Sequence, residues 1–354
     1  MMNFTDKQTL ALLEDIERRL DPEVEADLTN QWEAFWNGQS EAEIFSPSRL
    51  RTSEPSVVIQ PVHINDAIHS YDLMLRDQLN LVSRALSTPH KNPAIRANYG
   101  TGIISSLFGA EIFEMPRSMN TLPTTRCFND TDKMQELLDR GMPDLTGGFG
   151  GRVLEFGELC AELLEAYPNV KRWVEIYHPD VQGPLDLCEL MWGGEMFYAM
   201  YDEPELVHGM LQLISDTYTA FLNRWYEIFP RNSHLNAHWD SFRHRGTIVL
   251  RDDSAMNLSP GLYREFAAPY DGLLLQRFDG GVIHFCGRGD HYVPILSELP
   301  KLYGINMSQP ELNDMETIYR NTVDKDIRIL AFSRAWAEKD VNRPGRFHKK
   351  LTVI

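Results

Sequence analysis

Short runs rich in apolar and β-branched residues alternate along this chain with longer amphipathic stretches. That rhythm restricts the fold more than any single motif does. The runs cover residues 57–63, 94–99, 110–115, 173–178, 247–252, 281–286, 302–307 and 327–333. Several are almost continuously apolar, as strands buried on both faces of a parallel sheet must be. Between them lie helical patterns over 71–87, 204–229 and 260–278. In the second, Val207, Met210, Leu211, Ile214, Tyr218, Phe221, Leu222 and Trp225 recur at helical spacing. Eight β runs alternating with helices predict an α/β fold, a (β/α)₈ TIM-type barrel. Upstream, residues 5–40 read as two helices, the first capped by Thr5. A polar, proline-containing linker follows over 46–56. The chain is thus expected to divide into an N-terminal helical extension, 1–50, and a barrel catalytic domain, 51–354.

A length of 354 residues fits either two average domains or one large barrel, so the alternation carries that decision. With 34 basic residues against 51 acidic ones, the formal net charge of −17 disfavours nucleic acid as a general partner. Cys127, Cys160, Cys188 and Cys286 show no CxxC pair and no dense framework, which points to a reducing compartment. The first twenty residues lack the basic–apolar pattern of a signal peptide, and no apolar run is long enough to span a bilayer. The expectation is a cytoplasmic enzyme without membrane attachment, with a homodimer as the default assembly.

In a barrel of this type, chemistry sits at the C-terminal strand ends. Those ends supply His63, Tyr99, His178 with Asp180, Asp252 with Asp253, His284 with Cys286, Ser308 with Gln309, and Ser333. His284 and Cys286 are two apart in a strand, so both face the same side, and imidazole with thiolate suits zinc. The alternative is a strand-end histidine and a small core cysteine. Asp252-Asp253 offers paired carboxylates for a cation or for acid–base work, against a helix-capping role before Ser259-Pro260. His178, Asp180 and Gln182 are placed to hold substrate, or to form a loop capping the next helix. His238, just before the fifth main run, is a further candidate for the site. The stretch 147–152, Gly-Gly-Phe-Gly-Gly-Arg, lacks Walker and Rossmann spacing and reads as a flexible lid or a plain loop.

Three blocks together resemble the uroporphyrinogen decarboxylase superfamily: Gly183-Pro-Leu-Asp-Leu through Asp202-Glu-Pro-Glu-Leu-Val-His208, Asp252-Asp-Ser-Ala-Met-Asn-Leu-Ser-Pro-Gly-Leu-Tyr-Arg-Glu-Phe266 with Pro269-Tyr270, and His284-Phe-Cys-Gly287. The resemblance covers roughly residues 90–330 and implies a (β/α)₈ barrel. It also implies one of two chemistries, cofactor-free decarboxylation or zinc-assisted methyl transfer from a methylated corrinoid protein to a thiol such as coenzyme M. The arginine-rich loop of the decarboxylases is absent, since the corresponding region reads Gln60-Pro-Val-His-Ile-Asn-Asp66, and so is their late Gly-His-Gly stretch. The His-x-Cys pair is closer to the methyltransferase branch. That branch has a second cysteine near the eighth strand, where this chain has Ser333 and no cysteine follows Cys286.

The leading expectation is therefore a methyltransferase with zinc on His284, Cys286 and one carboxylate, Glu311 being the first choice and Asp252 or Asp253 the alternatives. A corrinoid protein would be its partner. Asp252, His238 and Tyr99 are the expected catalytic residues. His178, Asp180, Gln182, His63 and Arg288 are expected to bind a small-molecule substrate. A cofactor-free decarboxylase or lyase is the second reading, with Asp252, His284 or Tyr99 as acid or base and Arg96 or Arg288 on a substrate carboxylate. A barrel that binds a ligand without catalysis is the third.

Overall fold

The computed structural model describes residues 4–232, 234–342 and 345–354. It is an α/β molecule with a parallel sheet and many helices. The strands, in chain order, are β1 (Ile44–Phe45), β2 (Ala94–Ile95), β3 (Ile112–Phe113), β4 (Thr124–Thr125), β5 (Glu175–Ile176), β6 (Asn236–His238), β7 (Phe242–His244), β8 (Ile248–Arg251), β9 (Gly281–Phe285), β10 (Leu302–Met307), β11 (Arg328–Phe332) and β12 (Leu351–Val353). Six of them form one parallel sheet in the order β1-β12-β11-β10-β9-β8. A second parallel pair joins β2 to β5. The remaining pairs, β3-β4 and β6-β7, are antiparallel.

Two expected strands differ from this arrangement. Residues 57–63 form no strand, because Pro55 and Pro61 remove ladder donors and Val58 is 83% exposed instead of packed. The run at 110–115 is a two-residue antiparallel ladder, not a parallel strand. In their place β1 and β12 enter the sheet side by side, Ile44 opposite Leu351.

Alternation along β8 and β9 sorts the side chains. Ile248, Leu250, Ile283 and Phe285 belong to the large core shared with the helices. Val249 and Val282 face a second cluster with Trp32, Phe35, Trp36 and Phe242. The helix α2 (Pro22–Trp36) supplies three of those aromatic rings, and α1 (Lys7–Arg19) packs on the helix Tyr71–Leu86. Asp6, not Thr5, caps α1 by accepting the Thr9 N–H at 2.8 Å. Trp36 is locked to the sheet side, its indole donating to the Arg243 carbonyl at 2.9 Å while Arg328 donates to its own carbonyl.

The stretch expected as a lid opens the helix Gly148–Leu164. Phe149 N–H donates to Ser106 Oγ, and a Cβ on Gly148 would lie 2.5 Å from that oxygen. The helical pattern over 260–278 is broken by a π turn at Tyr263–Ala267, which ends two residues before Pro269, a residue with no N–H to give. No helix among the described residues is long and apolar enough to cross a membrane.

Candidate metal and acceptor site

The site gathers where β8, β9 and β10 end. Register sets Arg251, His284 and Asn306 side by side across these three strands, so their side chains share one face. Asn306 donates its amide N–H to the Leu330 carbonyl at 2.7 Å, which turns its Oδ1 toward His284. That oxygen lies 2.6 Å from His284 Nδ1. An amide oxygen only accepts, so Nδ1 carries the hydrogen and the Nε2 lone pair is free. It faces Cys286 Sγ at 3.4 Å and Asp253 Oδ1 at 3.7 Å. One donor atom from each of Asp253, His284 and Cys286 lies within 4.8 Å of the others.

These separations suit a single small cation. Tetrahedral zinc with nitrogen, oxygen and thiolate bonds near 2.0–2.3 Å spans ligand-to-ligand edges of about 3.3–3.8 Å. The charges suit it too. Burial pushes the Cys286 thiol up to about 11, with the Asp253 carboxylate adding to the rise. Burial also lowers the His284 pKa and keeps that ring neutral. A divalent cation would balance one thiolate and one carboxylate. Ser308 Oγ stands 3.4 Å from the sulfur, on the first residue past β10.

The two adjacent aspartates diverge. Asp253 begins a short turn, and its N–H and that of Ser254 both donate to the Asp186 carboxylate, at 3.0 and 2.8 Å. This holds Asp253 against Cys286, whose N–H donates to Asp253 Oδ1 at 2.8 Å. Asp252 turns the other way. It is fully buried, with neither carboxylate oxygen hydrogen-bonded. Burial, then repulsion from Asp271, raises its pKa far above the usual carboxylate range. Asp271 is pushed up to about 7, burial again the largest cause. A Cβ at Gly183 would lie 2.5 Å from Asp252 Oδ1, so glycine is what lets the helix Pro184–Trp192 start against the end of β8.

Beside the triad lies a cavity of about 420 Å³ whose lining includes Thr101, Thr125, Cys127, Gln182, Glu189 and Asp253. Glu189 accepts a hydrogen bond from Ser254 Oγ. Gln182 is 4% exposed and its side-chain amide has no hydrogen-bond partner among the described residues.

Of the other residues singled out in the sequence, Asp180 and His238 form a buried network around Arg251, on the same face as His284. Asp180 is gripped by Arg96 and by Arg251, the latter at 2.6 Å. Arg251 also donates to His238 Nε2 at 2.8 Å and lies over Trp239. Burial and the neighbouring guanidinium hold His238 far below the usual imidazole range. His178 spends both nitrogens on backbone, Nδ1 on the Pro179 carbonyl and Nε2 on the Val249 N–H, and burial pushes its pKa down to about 3.

The rest lie apart from the triad. Tyr99 is buried against Phe149 and Phe156 with an unpartnered hydroxyl. His63 caps the helix Ile64–Ala67 and reaches the Arg117 carbonyl. Arg288 is 63% exposed and turned to Asp290. Glu311 is exposed in a short turn and takes no part in the metal-competent group; Asp253 supplies the carboxylate instead. Asp186, Glu189 and Asn306 are the site residues that sequence reasoning missed. Asn306 alone carried a signal, being a polar residue in an otherwise apolar strand.

No family model matches the chain, and no curated protein matches it. Solved structures do match. A methyltransferase from Methanosarcina mazei aligns with a TM-score of 0.59 and 15% identity, over 86% of this chain and 82% of that one. The two chains share a fold.

Proposed function

We propose that this protein is a methyltransferase that moves a methyl group from a corrinoid carried by a partner protein to a small thiol, with zinc at Asp253, His284 and Cys286. The observation that carries the reading is the closeness of those three donors, with Asn306 directing the His284 lone pair at them. The fold shared with a methyltransferase supports it. Zinc, when bound, would lower the pKa of an incoming thiol. The chain's own residues do the rest. Asp186 holds Asp253 through two backbone N–H groups, Asn306 fixes the imidazole, and the cavity beside the triad receives the acceptor. In the transfer a carbon–sulfur bond forms as the donor's carbon–metal bond breaks. The electron pair of the broken bond leaves with the donor, and the thiol proton goes to solvent.

We also read the two parallel sheets as arcs of one eight-stranded (β/α)₈ ring. Three bonds support this: Val249 N–H to His178, Gly183 N–H to the Arg251 carbonyl, and Arg49 N–H to the Pro89 carbonyl. The reading as a lyase for a carboxylated substrate has less support, because Arg96 and Arg251 are committed to Asp180 and Arg288 to Asp290.

The test is demethylation of free methylcobalamin, followed by its absorbance, with small thiols and zinc-loaded protein. The expected result is zinc-dependent turnover that falls at least a hundredfold in Cys286→Ala. Turnover unchanged by chelation, or full activity in Cys286→Ala, would overturn the reading.

A further inference from the structure

The cavity beside the triad is one-sided in charge. Asp186, Glu189 and Asp253 are on its wall, and no lysine, arginine or histidine is. Asp186 is already occupied by two backbone N–H groups, and Asp253 faces His284 and Cys286. Glu189 is different. It has no basic partner among the described residues, only the Ser254 hydroxyl. Ser254 follows Asp253 directly, so Glu189 stands one residue beyond the triad along the wall. Gln182 adds an independent sign of a ligand: the residue is more than nine-tenths buried, its side chain has no hydrogen-bond partner among the described residues, and it lines the same space, so its amide is open to whatever the cavity holds.

An anionic tail such as a sulfonate, carboxylate or phosphate would meet carboxylate and no counter-charge here. An ammonium would meet Glu189 and the Gln182 carbonyl oxygen. Resting on the methyl-transfer reading for the thiol end only, we infer that the small molecule bound in this cavity carries a cationic amine a short distance from its sulfur, held by Glu189 and Gln182.

The test separates binding from turnover. The full chain, purified without added metal, is titrated calorimetrically with 2-(methylthio)ethylamine, 2-(methylthio)ethanol and 2-(methylthio)ethanesulfonate at low ionic strength. These mimic the methylated product and need no metal. The amine is expected to bind at least tenfold tighter than the sulfonate, with the alcohol between them. Glu189→Gln is expected to shrink that ratio about tenfold while thermal unfolding stays within a few degrees of wild type. If the variant does not fold, the wild-type ratio decides alone. A sulfonate that binds as well as the amine, a ratio unmoved in folded Glu189→Gln, or no binding of any of the three would overturn the inference. Methylcobalamin turnover with 2-aminoethanethiol against 2-mercaptoethanesulfonate distinguishes the failures. Absence of all turnover counts against methyl transfer while the binding ratio stands, and turnover that favours the sulfonate counts against the amine tail.

Discussion

Asn306 and His284 sit on neighbouring strands, and their contact decides what the imidazole can do. Because the Asn306 amide N–H is committed to the Leu330 carbonyl, its oxygen has to face Nδ1, and the ring presents a lone pair to Cys286 and Asp253. Asn306→Ala is expected to weaken zinc binding by about 10–100-fold, read by competition with a chromogenic chelator; an unchanged affinity would mean that the amide does not orient the ring. Asp271 ties the stability of the fold to pH. Its pKa is raised from 3.8 in the unfolded chain to about 7 in the fold. Between those values the folded protein keeps a proton that the unfolded chain has released, so stability falls as pH rises from about 4 to 7 and levels off above. Asp271→Asn removes that loss. The urea midpoint of the variant is expected to exceed that of wild type at pH 8, with the advantage shrinking toward pH 4; an equal difference at both pH values would contradict this.

The elements show where sequence patterns were readable and where they were not. The runs at 281–286 and 302–307 became β9 and β10 almost residue for residue, because both are long, apolar and central. β1 and β12 are only two and three residues long, too short for any periodicity to register, and they join the sheet through distant partners. The candidate site divides in the same way. His284 and Cys286 were visible as a strand-face pair. The choice of Asp253 over Glu311 depends on Asp186 holding a turn from 67 residues away, which no local pattern encodes. His178 reads in sequence like a substrate ligand, yet it ties the segment after β5 to β8. His178→Ala leaves the Val249 N–H unsatisfied and opens a void, at an expected cost of about 3 kcal/mol, measured by urea unfolding at pH 7.5. The native ring is held neutral, so its share of the stability is present above about pH 6.5 and is lost as pH falls toward 3. A variant as stable as wild type would show that the link is not a structural one.

For the molecule as a whole, the helices, the parallel sheets and the aromatic rings of α2 place three donors at the strand ends of the main sheet, beside a cavity walled by carboxylates. The fold shared with a methyltransferase is compatible with several chemistries, so the metal carries the central claim. The most direct measurement is cobalt(II) substitution of the purified chain, followed by absorption spectroscopy and metal stoichiometry. One bound metal per chain is expected, with a near-ultraviolet sulfur-to-cobalt charge-transfer band that disappears in Cys286→Ser, and much weaker binding in His284→Ala and Asp253→Ala. A chain that binds no cobalt or zinc, or one whose spectrum lacks the thiolate band while Cys286 is intact and reduced, would contradict the central claim.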